Sequence, residues 1–411
     1  MFYIFPFFLA SHSLLNFGSI YPIWLFLSIF NLIYLTSKNY QITFYSFQLF
    51  LPFIAFLSFL INSNQSKLGH LIAYFVIFIL VVTSLVHYFL FKCKDKEGCL
   101  IKLKSFLFIV CNTLFITATA DYVLLVNNID YSDFIPADLN TPVMNSFSSR
   151  ARAFWNEPTD LCLAANTFFS LYLAITIFLK NYFSNWKNSF FNKELFILIQ
   201  WLTILCISRS AAAIGALIIS TFFILIPDFL FKKKIFILKK SLLINLLFTL
   251  PTTTIFLFIF RDSFIGLFTG VIRKLSFNED LISVSDRVSS WLYLFEKLNS
   301  SNLIQLLFGY GPGHISLSSQ LYGTKGALSW IFTLPLDLGI IGLLSFLFII
   351  LKLLINSKYI PKTIRPFYLV ALISTLIHLC TQTGFYLPSL AFVMSIPIVF
   401  YKLEKDKNIA L

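Results

Sequence analysis

Apolar runs of about 15–25 residues recur from one end of the chain to the other, with lysines gathered in the gaps. The runs are continuous rather than alternating with period two, which argues against a transmembrane β-barrel. Of the 411 residues 58% are hydrophobic and only 12% are charged. About a quarter of an ordinary soluble chain is charged, so this one lacks the polar residues to cover a water-soluble enzyme. Disorder, collagen and coiled coil are excluded by the same runs. The expected fold is all-α: a single polytopic membrane domain over residues 1–411. The net charge of +13 does not signal nucleic acid, because the lysines sit between spans and not on a basic face. The 51 phenylalanines are expected to be lipid-facing bulk.

Cytoplasmic loops collect Lys and Arg, so charge orients the spans. Lys92, Lys94, Lys96, Lys102 and Lys104 mark a cytoplasmic loop. The run 101–126 then leads outward to the acidic Asp121, Asp130, Asp133 and Asp138. The run 160–179 returns to Lys180, Lys187 and Lys193, and Lys232–Lys234 mark the next inner loop. The run 241–260 exits and 329–353 returns to Lys352, Lys358, Lys362 and Arg365. A hairpin of 366–382 and 385–401 ends at Lys402, Lys405 and Lys407. Working back from the first loop gives spans at 68–91, 40–61, 18–36 and 2–16. The N-terminal run has no basic flank or small-residue cleavage site and reads as a first span. The expectation is about twelve spans with both termini cytoplasmic. Residues 128–159 form a first periplasmic loop and 261–328 a large one, between the ninth and tenth spans.

Residues 195–226 need a separate argument. As one helix this run would be about 48 Å long, against a hydrocarbon core of about 30 Å. Both its flanks, Lys193 and Lys232–Lys234, are basic, and same-side flanks require an even number of crossings. The run must fold back, and Ser208-Arg209-Ser210 is its polar break. The tip should lie in a protein-lined cavity near the outer surface.

On this topology six of the seven arginines, Arg150, Arg152, Arg209, Arg261, Arg273 and Arg287, lie outside, where basic residues are disfavoured. A guanidinium presents a planar fork that matches phosphate or carboxylate. Arg261 and Arg273 lie near span ends and acids and are read as their ion-pair partners. Arg150, Arg152, Arg209 and Arg287 are read as ligands of an anion. Three segments carry the candidate site. The first is Arg150-Ala-Arg152 through Trp155, Glu157, Pro158 and Asp160. Trp155 could wall a sugar ring, Glu157 could be a base or a helix cap, and Asp160 is read as a cap. The second is the Arg209 tip. The third is Ser285-Asp286-Arg287 with Trp291, followed by the turn Phe308-Gly-Tyr310-Gly311-Pro312-Gly313-His314. His314 is read as a surface or turn histidine, with proton transfer as the alternative. His12, His70, His87 and His378 are read as structural. No residues have metal-ligand spacing beyond the Cys93/Cys99 pair, which lacks further ligands, and no cofactor is expected.

In this order, Arg150 to Pro158 before a span, Ser208-Arg209-Ser210-Ala, Ser285-Asp286-Arg287 to Trp291, Phe308-Gly-Tyr-Gly-Pro-Gly313 and Leu338-Gly339-Ile-Ile-Gly342 resemble Wzy-type O-antigen polymerases. The match covers roughly residues 145–345, within the superfamily of O-antigen ligases and polymerases. The resemblance implies a metal-independent, inverting glycosyltransferase of the bacterial inner membrane. It joins oligosaccharide repeats carried on undecaprenyl diphosphate at the periplasmic face, for lipopolysaccharide or a related surface polysaccharide. The implied partners are the lipid-linked glycan donor and acceptor, the bilayer and a chain-length regulator. Ligases carry a His-Asn-like pair where this chain has Leu328 and Ser329, which favours a polymerase. Ala153 stands where the family often has Gly.

The chemistry expected is displacement of diphosphate from an anomeric carbon. Arg209 and Arg287, then Arg150 and Arg152, would stabilise the growing negative charge. Glu157 or His314 would take the acceptor's proton, and Trp155 and Tyr310 would hold sugar. A ligase and a lipid-linked glycan transporter are the alternatives. Asp337, about ten residues into a span, is expected to be structural and either paired or neutral.

Overall fold

The structure is a computed structural model. It describes residues 22–93, 95–127, 158–182, 190–208, 210–231, 295–315, 330–380 and 388–409, with isolated residues between. The described residues are helical and contain no strand. α1 is Pro22–Ser37 and α2 Ser46–Ile61. α3 runs Leu68–Phe75, through a π-helical segment Val76–Val81, into Val82–Lys92. α4 is Lys96–Val126, α5 Pro158–Tyr182, α6 Phe190–Ser208 and α7 Ala211–Phe231. α8 is the short Leu303–Phe308, followed by α9 Trp330–Asn356, α10 Arg365–Leu379 and α11 Pro388–Ile409.

Among the described residues, four helices are long and apolar enough to cross a membrane: Leu68–Phe91, Lys96–Val126, Thr159–Leu179 and Thr333–Tyr359. Five shorter apolar helices accompany them among the described residues. These nine overlap the expected runs from 18–36 to 366–382 other than 241–260; the run 385–401 falls on the helix Pro388–Ile409, which is not among the nine, and 2–16 and 241–260 lie outside the described residues, as does most of both large loops.

Local chemistry sets the boundaries. Asp95 caps α4, its carboxylate accepting from the Gly98 amide at 2.7 Å. Pro158 opens α5, where the missing N–H has no helical partner to lose, and Asp160 lies in the first turn. α6 ends at Ser208 and α7 starts at Ala211, so the long apolar run is interrupted at its expected polar break.

α5 is the hub. It packs against α4, α6, α7 and α10, and 83% of its span is buried, against 39% for α9. Among the described residues, α5 is therefore enclosed by protein and α9 is the more exposed of the two. α11 packs along α3, and its Phe392 stacks on Phe106 of α4 with centroids 5.6 Å apart and touches Phe89 and Phe168 edge-on. The expectation that phenylalanine is lipid-facing bulk is therefore corrected. Phe26, Phe30 and Phe53 are exposed, but Phe78, Phe106, Phe168, Phe169, Phe346 and Phe392 are fully buried, because ring pairs fill the wide gaps between helices. Cys93 and Cys99, which flank the lysine-rich segment at 94–96, are buried as well.

Candidate functional site

The two legs either side of residue 209 meet on one side chain. Asn166 of α5 accepts from the Trp201 indole of α6 at 3.1 Å and donates to the Ala213 carbonyl of α7 at 3.0 Å. Leu205 packs on the cluster of Cys162, Ala213 and Ile214. Twelve residues of straight helix would hold positions 201 and 213 about 18 Å apart. The chain therefore bends at the break, and Ser208 and Ser210 are both buried there.

The same end of the bundle gathers the other polar groups. α4 runs antiparallel to α5, with Phe108 and Lys104 both against Tyr172, so Asp121 lies level with the start of α5. The end of α10 meets that start too, with His378 Nε2 3.9 Å from Asp160 Oδ1. Trp330 opens α9 and donates to the Leu376 carbonyl of α10 at 3.2 Å.

Here α9 is broken. Gly339 has φ 72° and ψ −177°, a conformation essentially restricted to glycine. A Cβ at Gly339 would lie 2.0 Å from the Leu307 carbonyl oxygen, and one at Gly309 2.5 Å from the Asp337 carbonyl. The two glycines allow the turn after α8 to lie directly on the break. The carbonyls that the break releases are then filled. Tyr310 N–H donates to Leu336 O at 2.7 Å, while Gly311 N–H and the Ser58 hydroxyl donate to Asp337 O. The Asp337 carboxylate accepts from the amides of Gly313 at 3.0 Å and Ile315 at 3.2 Å. The α2–α3 turn closes over the top. Asn62 donates to the Gly309 carbonyl, and Lys67 N–H donates to that of Pro312. The Asp337 carboxylate is thus hydrogen-bonded, as its depth in an apolar run requires.

Two of the sequence-assigned site residues lie on this turn. Tyr310 and His314 stack with centroids 4.9 Å apart. Lys297 Nζ is 2.7 Å from His314 Nε2 and 4.8 Å from the centre of the Tyr310 ring. The Tyr310 hydroxyl meets the Ser301 hydroxyl at 2.9 Å. His314 lies at the end of the turn, but it is buried and not at the surface. Burial, then the Lys297 charge, push its imidazole down to about 4, with the Gln65 main chain opposing. It is neutral at pH 7, with an Nε2 lone pair facing an ammonium. Arg150, Arg152, Trp155, Glu157, Arg209 and Arg287 lie outside the described residues. The described flanks of the first two segments, Pro158–Asp160 and Ser208/Ser210, share one end of the bundle with Tyr310 and His314.

Sequence reasoning missed Lys297, Ser301, the α2–α3 turn and the Asp160–His378 approach. Each depends on contacts between distant segments that no local pattern encodes. Among the described residues no three His, Cys, Asp or Glu side chains gather as a metal site. No protein-family model and no curated protein matches this chain.

Proposed function

We propose that this protein is a polymerase of the O-antigen type. It joins undecaprenyl-diphosphate-linked oligosaccharide repeats at the periplasmic face of a bacterial inner membrane. The reading includes about twelve spans, cytoplasmic termini and a catalytic end that opens outward. The observation that carries it is the docking of Phe308–Gly313 on the Leu338–Gly339 break. Two sequence elements that resemble the family thereby form one unit, at the end where α5 begins and the 208–210 break lies.

In this mechanism the lipid diphosphate leaves the anomeric carbon as a hydroxyl of the second lipid-linked repeat attacks it. Arg209 and Arg287 stabilise the departing charge, with Arg150 and Arg152 beside them, and Trp155 and Tyr310 face sugar. Glu157 and His314 are the sequence's candidates for proton removal. With its ring pushed down to about 4, His314 suits holding the turn better than accepting a proton at neutral pH. No cofactor is needed where arginine supplies the positive charge. A chain-length regulator is a further expected partner.

A transporter is the second reading, favoured by a broken helix that carries a buried carboxylate. Against it, the Asp337 carboxylate and the Leu336 and Asp337 carbonyls are engaged by the protein's own donors. A transported ion would compete with amides already in place.

The surface glycan and lipid-linked intermediates of a deletion strain test the function. A single repeat attached to the surface acceptor supports a polymerase. Lipid-linked polymer without transfer means a ligase, and lipid-linked repeats retained on the cytoplasmic face mean a transporter.

A further inference from the structure

We propose that α8 is a membrane-surface element. Its face of Leu303, Ile304 and Leu307 is seated among the acyl chains of the leaflet opposite the Lys96–Glu404 pair, the outer leaflet on the proposed topology. The inference goes beyond the polymerase reading and does not depend on it. Leu303 and Ile304 are 71% and 56% exposed, and Leu307 is exposed too. Their spacing of i, i+1 and i+4 puts them on one side of the helix. Gln305, Leu306 and Phe308 are half-buried, and α8 packs on α9 and α2. An apolar side turned away from the fold is a surface for a partner.

The depth of α8 in the bundle decides which partner. A Cβ on Gly339 would meet the Leu307 carbonyl, so α8 lies level with the break in α9. At the other end of α9, Lys358 and Tyr359 lie beside Tyr401 and close to Lys402, and Glu404 beyond them pairs with Lys96. The stretch from Gly339 to Lys358 rises about 28 Å at helical pitch, nearly a full hydrocarbon core of about 30 Å. α8 therefore stands at the far hydrocarbon boundary. A tilt of α9, or an inner boundary drawn at Lys352, puts it deeper. Ser58 and Asn62 of the α2 end bond to Asp337 and Gly309, which fixes the same level on α2. There Leu60 and Ile61, like Ile340 of α9, are exposed, so the apolar side of α8 continues the apolar outer surface of the spans.

The chemistry of the segment suits that depth. Residues 298–324 contain no Asp, Glu, Lys or Arg. Asn302 and Gln305 close a capping box: Gln305 N–H donates to Asn302 Oδ1 at 2.9 Å and Asn302 N–H to Gln305 Oε1 at 3.1 Å. Gly309 N–H donates to the Gln305 carbonyl at 2.8 Å. The helix thus satisfies polar groups at both its ends without water. Six residues also offer far less than the roughly 800 Å² that a standard protein interface takes from each partner. Tyr310 follows α8 by two residues, so the seated helix anchors the Lys297, Tyr310 and His314 group at headgroup depth.

The experiment uses the full-length protein, its own cysteines replaced, in vesicles of phosphatidylethanolamine and phosphatidylglycerol. Single cysteines at 300, 303, 304 and 307 carry a nitroxide, and collisions with oxygen and with a water-soluble nickel chelate report its depth. Labels at 303, 304 and 307 are expected about 5–10 Å below the headgroups, relaxed by oxygen and shielded from nickel, with the label at 300 open to nickel. Nickel access at 303, 304 and 307 overturns the proposal. Shielding from both reagents also overturns it, because protein then covers the face; spin–spin broadening would mark that protein as a second copy. Any one of the three positions decides if the other variants do not fold. Leu303→Gln combined with Ile304→Gln changes side chains that project from the fold and tests the anchoring. Amide exchange across 309–315 in vesicles is expected to quicken about tenfold or more, and unchanged exchange overturns the anchoring. Neither readout requires glycosyl transfer, so a failure here leaves the polymerase reading in place.

Discussion

A carboxylate inside an apolar helix must be paired, neutral or hydrogen-bonded, and Asp337 meets that demand with two backbone amides. Asp337→Asn keeps an acceptor oxygen for one of them. It is expected to leave polymer formation intact with a stability loss of about 1 kcal/mol; abolished polymer at normal expression would move Asp337 into the catalytic machinery. His314 gives a pH test. Its folded pKa of about 4 lies below its ordinary 6.5, so the folded state binds fewer protons than the unfolded state between these values. The stabilisation is complete above about 6.5 and is lost as pH falls through about 4. Hydrogen-exchange protection of residues 297–315 should follow that window, and His314→Gln should flatten it. Arg209 carries the sharpest consequence of the proposed chemistry. Lysine keeps the charge without the planar fork, so Arg209→Lys should leave little activity and Arg209→Ala about 100-fold less than wild type. Surface-polymer length normalised to protein level decides this, and wild-type polymer from Arg209→Ala would remove it from the mechanism. Asp337 could be read from sequence because depth in an apolar run is a local property. The approach of His378 to Asp160 could not, since the two are joined only through the packing of α5 on α10.

At the scale of elements, two interruptions do different work. The one at residues 208–210 was legible from parity alone: basic flanks on both sides of an overlong apolar run demand a reversal. The bend leaves α6 and α7 on Asn166, which was legible only as one more polar residue in a span. Asn166→Leu removes both hydrogen bonds and is expected to cost about 1–2 kcal/mol, read as earlier unfolding in detergent. The interruption at Gly339 was visible as a glycine pair at the start of a span, but its partner was not. A positive φ and a carbonyl 2.0 Å from the required Cβ place two independent demands on this position. Gly339→Ala should therefore destabilise by about 3 kcal/mol or more and expose the 303–315 segment to protease. A folded Gly339→Ala protein with wild-type protease resistance would show that the break is dispensable.

Across the whole molecule, the sidedness proposed from lysine distribution can be set against contacts that do not depend on it. Lys96 at the start of α4 pairs with Glu404 near the end of α11, so these ends share a side. α4 has 31 residues and is about 46 Å long, so its Asp121 end lies across the bundle from that pair. The start of α5, the end of α10 and, through Trp330, the start of α9 assemble at the Asp121 end. The packing thus requires Gly98 and Lys405 to be accessible from one face and Ser300 from the other. The charge argument adds which face is which, and assigns Asn140 and Arg209 to the periplasm and Phe236 to the cytoplasm. Single cysteines at these six positions, in a chain whose own cysteines are replaced, test both arguments with an impermeant thiol reagent. Labelling is expected at 140, 209 and 300 in intact spheroplasts and at 98, 236 and 405 only after lysis. Labelling of 98 and 405 on opposite sides would contradict the packing itself. Labelling of 236 before lysis, with 98 and 405 still protected, would leave that packing intact and remove the fold-back of 195–226. The Arg209 tip would then lose its place at the outer mouth, and with it the diphosphate chemistry assigned to that end.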